Sequence, residues 1–224
     1  MPASITVQMP ASAPRQLFLL FHGVGGAPQN LVPLGQRLAL EFPQAAVVCV
    51  AGPEASDLGA GFQWFSVQGI SEDNRAQRIA DTMPRFVATV RGWQQRTGLT
   101  DVETALVGFS QGAIMALEST QLGESLAGRV VALSGRFAQL PQQAPATTTL
   151  HFIHGKNDEV VPYGHTVAAA ERLVRLGGDI TADVIPFLGH TVNEEVVELL
   201  VERLKGHIPK RIWEQAGQSA PPQP

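Results

Sequence analysis

The run Gly108-Phe109-Ser110-Gln111-Gly112 sets a serine between two glycines, at the junction of an apolar stretch and a helix-like one. A serine hydroxyl is a weak nucleophile until something exposes it, removes its proton and stabilises the oxyanion its attack creates. The spacing meets the first need. A sharp strand-to-helix turn lifts Oγ to the top of a sheet, and a Cβ at either glycine would crowd the neighbouring strand or helix. The flanks agree: Thr104 to Phe109 reads as a short buried strand, and Gln111 to Thr120 as a helix packing through Ile114, Met115 and Leu117. Acyl transfer through Ser110 is the chemistry this points to.

Such a serine needs a base, and the base needs an acid to hold its tautomer and balance its charge. On a strand–turn–helix framework of this kind both follow the serine in the chain, in loops beyond strand ends. Asp158 lies in the turn that leaves His151-Phe152-Ile153-His154-Gly155 and is the expected acid. Its neighbour Glu159 is the rival, and Asp183 falls inside the next expected strand. His190 follows Gly189 at the end of that strand and is the expected base. His151 lies within a strand and His154 comes too soon after one, while His165 and His207 belong to helix ends. His22 is placed to orient a loop near the site. For the oxyanion, the backbone N–H of Gln111 at a helix N-terminus is one donor. The glycine-rich exit Phe21-His22-Gly23-Val24-Gly25-Gly26 offers the second, Val24 first and Gly25 next. No Gly-Lys-Ser/Thr follows that exit, which argues against a phosphate loop, and no histidine pair has metal-ligand spacing. No metal or cofactor is expected.

Positioning these residues requires alternating elements. Strand-like runs recur at 17–22, 46–51, 104–109, 129–134, 149–154 and 180–186, with 3–8 as a possible edge strand. Helix-like stretches lie at 28–41, 73–96, 111–120, 164–176 and 192–205, and Pro84 should kink or divide the second. This alternation predicts an α/β fold with a mostly parallel sheet and helices on both faces. No insertion is large enough to form a cap domain. The longest irregular stretch, 51–71, carries Trp64 and Phe65, and a loop of that length is usually functional or disordered.

With 224 residues, 44% of them hydrophobic, residues 1–215 suit one domain with a sizeable core, and the polar 216–224 read as a frayed tail. A net charge of −4 gives no electrostatic reason to expect nucleic acid as a partner. No apolar run approaches membrane-spanning length and no leader pattern is visible, so a cytoplasmic protein without stable membrane insertion is expected. The single cysteine, Cys49, reads as a buried strand residue.

Taken together, Phe21-His22-Gly23-Val24-Gly25-Gly26, Trp64-Phe65, Gly108-Phe109-Ser110-Gln111-Gly112-Ala113, His154-Gly155-x-x-Asp158-x-x-Val161-Pro162 and Gly189-His190 resemble the carboxylesterase and acyl-protein thioesterase family of α/β-hydrolases. The stretch Gln63 to Ile70 is similar in particular to a small bacterial esterase branch. The resemblance implies a Ser110–His190–Asp158 triad, with Val24 and Gln111 as oxyanion donors. It also implies an acyl groove lined by the Trp64-Phe65 loop; Phe109 and Val161 are expected to join it. The substrate implied is a small-molecule or protein-bound acyl ester or thioester. Ser66 departs from the pattern, since many relatives carry Asp after Trp-Phe.

Overall fold

The computed structural model of the chain describes residues 3–218. Its strands are β1 (Ile5–Gln8), β2 (Gln16–Phe21), β3 (Ala45–Val50), β4 (Glu54–Ala55), β5 (Phe62–Gln63), β6 (Thr104–Phe109), β7 (Arg129–Leu133), β8 (Thr149–Gly155) and β9 (Ile180–Ile185). The helices are α1 (Val32–Glu41), α2 (Glu72–Thr97), α3 (Gln111–Glu118), α4 (Gly164–Arg175), α5 (Glu194–Gly206) and α6 (Lys210–Gln218). Seven strands build one sheet in the order β1-β3-β2-β6-β7-β8-β9. Only the edge strand β1 runs antiparallel to its neighbour.

Parallel strands covered on both faces must be apolar throughout, because each feeds two cores. Leu17, Leu19 and Phe21 of β2 belong to the core that takes Ile79 and Phe86 from α2, Met115 from α3 and Leu173 from α4. Phe18 and Leu20 point the other way and share a core with Leu34 and Leu38 of α1 and Val196 and Leu200 of α5. Each such side chain, once buried, contributes about 1.5–3 kcal/mol. Helices therefore cover both faces, and no cap domain is present among the described residues. Nor is any helix there long and apolar enough to cross a membrane. Cys49 is buried in β3, and burial pushes its thiol up to about 12.

From β2 the chain steps outward to β3, then returns past β2 to β6 and continues the other way. The loops leaving β2 and β6 thus diverge, opening a crevice at the carboxyl ends of the central strands.

Three departures from the sequence reading have local causes. The helix α2 is not divided at Pro84: its 26 residues run through it, since Met83 before the proline and Phe86 and Val90 beyond it are all held in the core. The stretch 51–71 is organised: β4 pairs with β5, and Asp57 Oδ2 accepts bonds from Ser66 Oγ at 2.6 Å and Val67 N at 2.8 Å. Ser66, the departure from the family pattern, is thus bound into the loop by Asp57. Lastly, α6 carries the chain as helix to Gln218, where a tail was expected from 216; residues 219–224 lie outside the described residues.

His151 gives the fold a pH dependence. It is fully buried in β8, with Nδ1 2.9 Å from Thr181 Oγ1 and no partner for Nε2 among the described residues. Burial first, then the charges of Arg129 and His207, lower its pKa from 6.5 to about 3, with Asp179 opposing. Below pH 6.5 the unfolded chain takes up a proton that the folded one refuses, so stability present above 6.5 is lost progressively toward pH 3. At a pH of about 4.5 the loss from this residue is ~3 kcal/mol. Urea unfolding at neutral and acid pH should show a smaller pH-dependent loss for His151→Leu than for wild type. Equal losses in the two proteins would exclude His151 as the source.

Candidate active site

Ser110 leaves β6 with φ 53° and ψ −117°, a conformation that L-residues adopt only under constraint. The constraint is visible on both sides. Its N–H donates to Leu133 O at 2.9 Å, and its carbonyl accepts from Ile114 N at 3.0 Å as α3 begins. The two flanking glycines permit the turn: a Cβ at Gly108 would stand 2.4 Å from Ala113 N, and one at Gly112 2.3 Å from Phe21 O. Behind the serine, α3 is buried at every position from Gln111 to Leu117.

The loops after β8 and β9 bring the other two residues to it. His190 Nε2 lies 2.9 Å from Ser110 Oγ, and its Nδ1 lies 2.7 Å from Asp158 Oδ2. Asp158 is almost wholly buried, and its Oδ1 accepts the N–H groups of Val160 at 2.9 Å and Val161 at 2.8 Å. Burial alone would raise its carboxyl, but the bonds from His190, Val161 and Val160 hold it below its ordinary value. An ionised carboxylate only accepts, so Nδ1 of His190 carries the proton and Nε2 is free to receive one from Ser110. A hydroxyl aimed at a bare imidazole nitrogen that is backed by a carboxylate can be deprotonated as it attacks. The rival acids are placed elsewhere. Glu159 is exposed, and Asp183 binds Arg203 through two bonds, from Nε at 2.9 Å and Nη2 at 2.6 Å.

The β2 exit loop lies directly against the serine: a Cβ at Gly23 would be 3.0 Å from Ser110 Cβ and 3.5 Å from Oγ. Of the two candidate donors there, Gly25 already donates to Phe62 O at 3.0 Å. The N–H groups of Val24 and Gln111 have no protein acceptor among the described residues. His22 orients this loop, its Nδ1–H reaching Gly23 O at 2.7 Å while Nε2 accepts from Gly52 N at 2.9 Å. Burial lowers its pKa, which keeps that ring neutral.

These contacts come with a family. A model of phospholipases and carboxylesterases matches residues 2–208. The chain belongs to the phospholipase/carboxylesterase family. This family member is 48% identical to Esterase YpfH of Escherichia coli (strain K12) over 210 residues, covering 94% of this chain and 90% of that one. It is 31% identical to Acyl-protein thioesterase 1 of Emericella nidulans, with 85% and 90% covered. Among solved structures, that of esterase PE8 superposes with a TM-score of 0.81 at 28% identity, over 89% of this chain and 97% of the other.

The expected groove residues are placed differently from one another. Trp64 is 1% exposed and Phe65 3%, so neither is the open groove wall the sequence led us to expect. The Trp64 ring packs edge-on against Phe21 and Phe86, and its Nε1–H donates to His22 O at 2.9 Å. The Gln111 side chain locks the same segment, accepting from Trp64 N and donating to Phe65 O, each at 2.7 Å. Trp64 and Phe65 thus support the loop from below. Phe109 is half-buried, its ring 4.9 Å from that of His190. Val161 is buried and meets Asp158 through its backbone.

Proposed function

We propose that this family member is a serine carboxylic-ester hydrolase acting through an acyl-enzyme on Ser110. The observation that carries the reading is the unbroken hydrogen-bond chain from Ser110 Oγ through His190 to Asp158. In the first step Oγ attacks the acyl carbon while His190 Nε2 takes its proton, and Asp158 stabilises the imidazolium. The carbonyl oxygen gathers the negative charge and accepts hydrogen bonds donated by the N–H groups of Val24 and Gln111, at roughly 3–4 kcal/mol per donor. His190 then protonates the leaving oxygen as its bond to the acyl carbon breaks. Water, deprotonated by His190, repeats the sequence and releases the carboxylic acid.

The substrates proposed are short to medium acyl esters, because Phe109 beside His190 is half-buried and no cap among the described residues encloses a long chain. A relative named as an acyl-protein thioesterase makes thioesters the natural comparison. Hydrolysis of matched p-nitrophenyl esters and acyl thioesters of increasing length, with peptide mapping of a fluorophosphonate adduct, tests both parts. Turnover with an optimum at short to medium length and an adduct on Ser110 are expected. A sulfur preference would reassign the leaving group. Absence of turnover across the panel, or an adduct elsewhere, would overturn the reading.

A further inference from the structure

Asp158 needs an aim as well as a charge. It sits in a turn, and the turn is closed by a residue that the mechanism above does not use. His154, at the end of β8, is 1% exposed. Its Nε2 is 2.7 Å from Val161 O, and its Nδ1 is 2.8 Å from Thr166 Oγ1 in the first turns of α4. A carbonyl can only accept, so Nε2 bears the hydrogen, and the neutral ring's Nδ1 accepts from the threonine hydroxyl. The same Nε2 lies 3.3 Å from Asp158 Oδ2, the oxygen bonded to His190.

We infer that His154 is a positioning residue for the triad, fixing Val161 through its carbonyl so that the 158–161 turn holds Asp158 Oδ2 on His190. The geometry is closed at both ends. Val161 gives its N–H to Asp158 Oδ1 and its C=O to His154, so the imidazole sets the orientation of a residue that grips the carboxylate. Thr166 in turn ties the ring to α4, joining strand, turn and helix at one buried point. The ring must stay uncharged for this. A cation there would compete with His190 for Oδ2, and burial, the largest influence on the ring, favours the neutral form. The titratable groups that face it are Asp158, His190 and His165.

This role rests on the Ser110–His190–Asp158 reading, and the variants separate the two. His154→Leu should lower kcat about 10²-fold with KM little changed, since the carboxylate loses its aim. It should also move the acidic limb of kcat/KM to lower pH, because a misaligned Asp158 stabilises the imidazolium less. His154→Gln, which keeps a donor for Val161 O, should recover most of both. A merely structural role would reduce the folded fraction and leave the limb where it is. In the wild-type protein, 15N spectra of the histidine rings should show His154 as the Nε2–H tautomer, uncharged at neutral pH. That measurement, with His154→Gln, decides the matter even where His154→Leu fails to fold. An unmoved limb, a Gln variant no better than Leu, or an Nδ1–H or charged ring would each overturn the role. Full activity in Ser110→Ala would overturn the triad and this role together. An inactive Ser110→Ala beside an unmoved limb overturns this role alone.

Discussion

Ser110→Ala is expected to lower kcat for ester hydrolysis about a million-fold while leaving the protein folded. The methyl group fits where the serine Cβ already sits, beside a Gly23 that has no Cβ to crowd it, and every backbone bond of the turn survives. What remains is the pair of oxyanion donors and substrate binding, worth ~10³–10⁴ over water. Alanine keeps the strain of φ 53°, ψ −117°, whereas glycine adopts that conformation without a Cβ. Relief of a strained residue is worth roughly 1–3 kcal/mol, and glycine's greater unfolded-state freedom takes back about 0.5–1. Ser110→Gly should therefore be as inactive as Ser110→Ala but unfold about 1 kcal/mol harder in urea. Steady-state rates and urea midpoints for the three proteins check both statements. Substantial turnover by the alanine variant, or coincident midpoints for Ala and Gly, would contradict them.

Asp158→Asn should cost about 10⁴ in kcat through the tautomer of His190, with little change in fold. The amide oxygen of asparagine takes the two N–H groups of Val160 and Val161, which leaves Nδ2–H facing His190 Nδ1, itself a donor in wild type. Two donors cannot share that gap, so the proton moves to Nε2. The imidazole then points a hydrogen at Ser110 Oγ where it needs a lone pair. Raising the pH does not correct a wrong tautomer, so the deficit should persist on the alkaline side of the profile. Recovery of wild-type rates at alkaline pH would mean that Asp158 acts by charge alone.

Most of the site was legible because its parts obey local rules. Gly108 and Gly112 mark a close approach that only glycine allows, and Asp158 and His190 each follow a strand end and a glycine turn. Two resemblances were less informative. The Trp64-Phe65 pair stands in a stretch without periodicity, so nothing in it says which way the rings face. The answer comes from His22 O and from the Gln111 side chain, more than forty residues away in both directions. His154 reads in the sequence only as a histidine too soon after its strand to be the base, because its partners, Val161 O and Thr166, meet it only once the turn has closed. The helix α6 was missed for another reason. Its exposed Ile212 and Trp213 bury no stripe, and its start depends on Lys210 N reaching the Asp179 carboxylate. Pro209, a residue suited to a helix start, was the available signal.

The serine is mounted on the best-enclosed helix among the described residues, buried at every position from Gln111 to Leu117 and packed between the sheet and α2. Such a segment has no fraying of its own. Its amides exchange with solvent only when the surrounding core opens, which places them at the high-protection end of the molecule. The mount of the serine and the cooperative unit of folding are in this way one object. On heating, that mount should show no melting step of its own and should be lost together with the fold.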